Sequence, residues 1–174
     1  MFRLTRERAI GIMIALLVGS AAFVYGLRSL EWDMTFHPVR MDPGRRRPPA
    51  GASDVWFNTV DGKRLHGWFF ENRTQPDPVT IIFCHGNGGN IANVGWLGER
   101  FYERGFNVLL FDYRGYGASD GDPENETSLY ADGDAALAFV TKEKAVRPER
   151  IVLYGQSLGT TIVADVASRH EVGT

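Results

Sequence analysis

A single cysteine, Cys84, leaves nothing in these 174 residues for an intrachain disulfide to join. It sits in an apolar run, reads as a small core residue, and says little about compartment. Excess charge is also missing. Nineteen basic residues face 21 acidic ones, and the formal balance of -2 gives no support to nucleic-acid binding. No internal repeat and no low-complexity tract appears, so neither a solenoid nor a repeat array organises the chain. What is abundant is core material. A hydrophobic content of 44% with 12% aromatics excludes wholesale disorder, and the length suits one domain of ordinary size.

The N-terminus carries one long uncharged stretch, Ala9 to Leu27, preceded by Arg3, Arg6 and Arg8. As a helix it spans about 28 Å, close to the bilayer hydrocarbon thickness. Three readings fit: an uncleaved anchor, a signal peptide cut near Ser20-Ala21-Ala22, and a buried soluble helix. The anchor is the expectation, because the apolar run continues past the small residues to Leu27 and shows no polar face. Basic residues before the span, with Glu31 and Asp33 after it, favour a cytoplasmic N-terminus and an exported main domain. Arg28, Arg40 and Arg45-Arg46-Arg47 blunt that asymmetry. The expected division is an anchor over 1–28, a basic Pro/Gly-rich linker over 29–52, and a folded domain over 53–174. The arginine triplet has two readings, a solvated linker and a contact to anionic headgroups.

Beyond the linker, Val55 to Val60 and Leu65 to Phe70 read as strands joined at Asp61-Gly62. Val79 to Phe83 is a continuous apolar run, suited to a strand buried on both faces. Asn90 is a helix N-cap, and Ile91, Val94, Leu97 and Phe101 follow the helical period up to Gly105. Phe106 to Phe111 is the next strand. Asp122-Pro123 opens a helix with Leu129, Ala136 and Val140 on one face, and Pro148 precedes the strand Ile151 to Tyr154. An antiparallel pair followed by strand–helix repeats predicts an α/β fold. Its sheet is mostly parallel, helices cover both faces, and ligands bind at the carboxyl ends of the strands.

The last strand runs straight into Gly155-Gln156-Ser157-Leu158-Gly159, with a helix-compatible segment from Leu158 to Arg169 behind it. This is Gly-x-Ser-x-Gly in a strand–turn–helix context. A sharp turn there lifts the serine hydroxyl clear of the sheet, and the glycines let strand and helix approach. The helix start supplies unpaired N–H groups and a positive dipole end for a developing oxyanion. A second glycine-rich loop, His85-Gly86-Asn87-Gly88-Gly89-Asn90, follows the strand Val79 to Phe83. It lacks the Gly-Lys-Ser/Thr ending of a phosphate loop and the spacing of a dinucleotide fingerprint.

Together with Asp112-Tyr113-Arg114-Gly115-Tyr116-Gly117-Ala118-Ser119, these stretches resemble the α/β-hydrolase superfamily. They look like its membrane-anchored branch of acyl-protein thioesterase-like and lysophospholipase-like serine hydrolases. The resemblance implies that Ser157 is the nucleophile, and that the backbone N–H groups of Asn87 and Leu158 form the oxyanion hole. It gives His85 and Asp112 structural roles, requires no metal or organic cofactor, and implies a small-molecule or lipid-like acyl substrate. His37 and His66 have no claim to the site.

Triad partners in this fold follow the serine in the order acid, then histidine. After Ser157 the only candidates are Asp165, His170 and Glu171, in or just beyond one helix, and they cannot converge on the hydroxyl. The expectation is therefore the N-terminal half of a hydrolase, truncated after the Gly155–Gly159 turn, the nucleophile elbow, and inactive by itself. The competing reading is a non-catalytic, membrane-tethered binding module on a hydrolase scaffold.

Overall fold

A computed structural model describes residues 5–42 and 47–173. Arg3, Arg45 and Arg46, which the topology and headgroup expectations use, lie outside those residues, as do Pro43, Gly44 and Thr174. The chain divides into two units, one ending at Phe36 and one starting at His37. The first is the helix α1, Arg6–Thr35. Its stretch Arg6–Leu30 is long and apolar enough to cross a bilayer. The helix runs past residue 28, the expected end of the anchor, because nothing between Arg28 and Thr35 breaks it.

The second unit is a five-stranded sheet in the order β1-β2-β4-β3-β5. The strands are β1 Ala52–Asn58, β2 Arg64–Phe70, β3 Thr80–Cys84, β4 Asn107–Phe111 and β5 Ile151–Gly155. β1 and β2 pair antiparallel, and β2 meets β4 antiparallel. β4, β3 and β5 are mutually parallel, as the strand–helix repeats predict. The first hairpin is looser than an Asp-Gly pair suggests. Asn58 opposes Arg64, and Thr59 holds the connection through its amide to the Lys63 carbonyl (2.9 Å) and its hydroxyl to Asp61.

Alternation along the strands builds two cores. Trp68, Phe70, Ile81, Phe83, Val108 and Leu110 face one way, against Ile91, Val94, Leu97 and Phe101 of α2 (Ile91–Glu103). On the other face Phe57 stacks on Phe139 at 4.9 Å, and Phe69 meets that ring edge-on. Phe139 lies in a π-helical turn that continues α3, Glu126–Ala138. Gly133 of α3 is the close-packing point for Ile162 and Val166 of α4, Leu158–Arg169. Thus α2 covers one face while α3 and α4 share the other.

One expected boundary is corrected. The third helix starts at Glu126, capped by Asn125, and not at Asp122-Pro123. The Asn125 side chain accepts from the Ser128 amide at 2.9 Å, and the Ser128 hydroxyl reaches back to the cap, a reciprocal arrangement that outcompetes proline as a start. Pro123 instead packs on Gly115, where a Cβ would come within 2.6 Å of the proline ring.

The loop after β4 is pinned by a buried guanidinium. Arg114 donates to Asp132 of α3 (2.9 Å from Nε) and to Asp61 of the hairpin (2.8 Å), while its backbone amide also reaches Asp132. Hydrogen bonds from Arg114, then from Thr59, hold the Asp61 carboxyl down at about 2. This joint fixes the loop at the carboxyl end of β4, beside the end of β3.

Candidate active site

Ser157 sits between β5 and α4 with φ 51° and ψ −117°, a conformation that L-residues avoid. Such strain costs about 1–3 kcal/mol and persists only where the surroundings impose it. Here they do. The Gln156 amide donates to the Cys84 carbonyl at 3.0 Å, and the Gly159 and Thr160 amides close onto Gln156 and Ser157 at 2.9 Å. A Cβ on Gly155 would meet the Gly159 carbonyl at 2.6 Å, and one on Gly159 would lie 2.0 Å from the Cys84 carbonyl oxygen. Strand, turn and helix touch backbone to backbone, which only glycine permits. The Ser157 side chain is exposed at the top of the sheet.

The loop from β3 to α2 lies against this turn. A Cβ on Gly86 would be 3.5 Å from both the Ser157 Cβ and the Gln156 carbonyl. The His85 imidazole is buried, and its Nδ1 donates to the Gly86 carbonyl at 2.7 Å. Next along, the Asn87 amide oxygen accepts from the Tyr116 hydroxyl (2.7 Å) and from the His37 backbone N–H (2.9 Å). The Asn87 amide nitrogen donates to His37 Nδ1 at 3.1 Å. Burial pushes the Cys84 thiol up to about 12, so this cysteine is not a nucleophile at neutral pH.

Beneath the loop runs a buried polar row. Asp54 and His66 Nε2 are 2.6 Å apart, His66 Nδ1 is 3.7 Å from Asp112 Oδ2, and Asp112 Oδ1 is 3.5 Å from His85 Nε2. Asp112 also accepts the Ile91 amide at 2.9 Å, fixing the start of α2, and a Cβ on Gly117 would overlap its carboxylate. Burial opposes a charge on His66, but Asp112 and Asp54 outweigh it and raise the imidazole above its ordinary 6.5. Burial likewise works against the Asp112 carboxylate, and His66 and His85 overcome it, leaving it below its ordinary 3.8.

The geometry therefore brings together Ser157, Leu158, Gly86, Asn87 and His85, and underlays them with Asp112. Two residues that the sequence left unassigned join them, His37 directly on Asn87 and His66 through Asp112. Only spatial pairing reveals them, since His37 and Asn87 are 50 positions apart. Asp165, His170 and Glu171 lie at the far end of α4 from the serine. Arg169 bridges Asp165 and Asp134, and His170 Nε2 is 3.0 Å from Asp134.

An antiparallel pair feeding parallel strand–helix units, with a strained serine turn at the carboxyl end of β5, defines an α/β-hydrolase. The comparisons make this particular. A family model described as serine aminopeptidase, S33, matches residues 75–173, more than half of the sequence, and the chain belongs to that family. It is 42% identical over 128 residues to the uncharacterized protein YfhR of Escherichia coli, covering 70% of this chain and 43% of that protein. It is 38% identical over 125 residues to the alpha/beta hydrolase domain-containing protein 17C of Mus musculus, covering 69% and 38%. The crystal structure of an alpha-beta hydrolase from Vibrio vulnificus superposes with a TM-score of 0.62 at 25% identity, over 71% of this chain and 43% of that one. The chain thus spans about two fifths of the length of the curated relatives it matches.

The buried row makes a pH prediction. A raised folded value means that His66 holds its proton more tightly folded than unfolded, so its contribution is complete below 6.5 and is lost as the pH climbs through the folded value. Urea midpoints of the second unit should fall as the pH rises above 6.5 through the folded value, and His66→Gln should flatten the fall. An unchanged slope in the variant would show that His66 is not the titrating group.

Proposed function

We propose that the protein is a membrane-anchored serine hydrolase acting on a carboxylic ester or thioester. For the anchor, the support is the uncharged length of α1, which equally satisfies a signal sequence. In this reading the N-terminus is cytoplasmic and the hydrolase unit is exported. The chain should pellet with membranes and resist alkaline carbonate. A soluble mature protein starting near Phe23 would reverse the assignment.

For the chemistry, the observation that carries the reading is the strained backbone of Ser157 beside the Gly86–Asn87 peptide. A serine held there presents its oxygen to a carbonyl carbon. The tetrahedral oxyanion is met by the backbone N–H groups of Asn87 and Leu158, the latter reinforced by the positive end of α4. Collapse expels the alcohol or thiol and leaves an acyl group on Ser157, which water then removes. Removing one such donor typically costs about 100- to 1000-fold in turnover, so the loop matters as much as the nucleophile.

A general base has to take the serine proton, and His85 is not suited to it: its Nδ1–H is held on the Gly86 carbonyl, and its Nε2, the nitrogen left to accept a proton, is buried 3.5 Å from the Asp112 carboxylate. We assign the base and its acid to the part of the relatives' length that lies outside the matched region. The substrate is a small or lipid-like acyl compound, and no metal or organic cofactor takes part in the steps above. A fluorophosphonate probe should label the whole protein at Ser157, and Ser157→Ala should abolish labelling. The chain of 174 residues by itself should label weakly. Labelling that survives the substitution would rule Ser157 out, and whole protein that never labels would favour a binding module on the same scaffold.

A further inference from the structure

Residues 37–41, expected as part of a linker, form a strap across both loops that build the site. Pro38 makes a parallel bridge to Gly89, and Arg40 makes one to Gly117. The Met41 amide donates to the Gly117 carbonyl at 2.9 Å, and the Gly117 amide returns to Val39 at 3.0 Å. The Asn90 side chain donates to the Val39 carbonyl. At the far end the Arg40 guanidinium reaches the Ser119 carbonyl, the Gly121 carbonyl at 2.6 Å and Asp122 at 3.2 Å. The strap therefore ties the loop after β3 to the loop after β4 along its whole length.

Its His37 end grips one side chain by both termini. His37 donates its backbone N–H to the Asn87 amide oxygen and accepts from the Asn87 amide nitrogen through Nδ1. Tyr116 completes the oxygen's second lone pair. The amide plane of Asn87 is thus fixed from three directions. On the other side of the same residue, the His85 imidazole holds the Gly86 carbonyl. In a planar trans peptide the N–H of Asn87 points opposite to that carbonyl, so the two histidines together set one direction in space. That N–H is the donor assigned above to the oxyanion.

We propose that His37 is a positioning residue for the oxyanion hole: through the Asn87 side chain it holds the Gly86–Asn87 peptide in its donor orientation. This rests on the serine-hydrolase reading and adds a part that no local motif marks. The imidazole acts by its δ-position acceptor, not by proton transfer. An asparagine at 37 has an amide oxygen at that same position and should keep the grip, while alanine loses it.

The test compares His37→Ala with His37→Asn. In the whole protein, hydrolysis of an activated short-chain ester should lose about 10-fold in kcat for the alanine variant, with KM within about twofold, a misplaced donor costing less than a deleted one. His37→Asn should recover most of the loss. In this chain, hydrogen–deuterium exchange over residues 85–90 should rise in His37→Ala and stay at the parental level in His37→Asn, with the unfolding midpoint little moved. Equal impairment of both variants would overturn the proposal by giving the imidazole another task. So would a change in KM alone, a parental alanine variant, or exchange that rises throughout the unit. If Ser157→Ala retained activity the hydrolase reading would fail instead, and the exchange experiment would still decide whether His37 orders the loop.

Discussion

The structure depends on one backbone contact, where α4 comes down on the end of β3. Gly159 lies so close to the Cys84 carbonyl that a Cβ there would sit 2.0 Å from the oxygen. That approach forces the intervening turn to be tight, the turn forces Ser157 to a positive φ, and the positive φ lifts its side chain out of the sheet. The strain is offset by the hydrogen bonds on either side of it, above all from the Gln156 amide to Cys84. Nothing about the serine's position is independent of the central parallel strands.

The loops on either side inherit their geometry from the same region. β3 ends in the His85–Asn90 loop and β4 ends in the Asp112–Asp122 loop, and parallel pairing puts both at one edge of the sheet. Each loop is then secured from outside its own sequence. Arg114 ties the second to the first hairpin and to α3, the Asp54–His66–Asp112–His85 row runs beneath both, and residues 37–41 cross above. Single hydrogen bonds here contribute little net stability, about 0.5–1.5 kcal/mol each. Under the proposed hydrolase reading their value is directional, because a donor aimed at a forming charge works only when it is aimed in advance.

Features set by neighbours in sequence are legible from the residues alone. The α4 helix was expected from Leu158 to Arg169 and occupies that span, and Asn90 caps α2 as its side chain and position suggest. The elbow glycines were legible because their spacing is itself the steric requirement. What local reading missed was set by distant partners. Proline at 123 suggested a helix start, but Gly115 takes that ring and Asn125 with Ser128 makes the better cap. His37 and His66 looked incidental because their partners lie 50 and 46 positions away, at Asn87 and Asp112. The Pro/Gly-rich composition of residues 29–52 describes a linker well and conceals that residues 37–41 within it pair with the loops of the site.

The most direct test of the account is Gly159→Ala in the whole protein. One methyl group has to displace either the Cys84 carbonyl or the start of α4, because no flexible side chain stands in its way to yield. The account predicts that fluorophosphonate reactivity of Ser157 drops by at least about 100-fold, as misplacement by about 1 Å would cause, and that the unit is destabilised by about 1–3 kcal/mol. A Gly159→Ala protein that reacts and unfolds like its parent would contradict it, since the serine's position would then not depend on that contact.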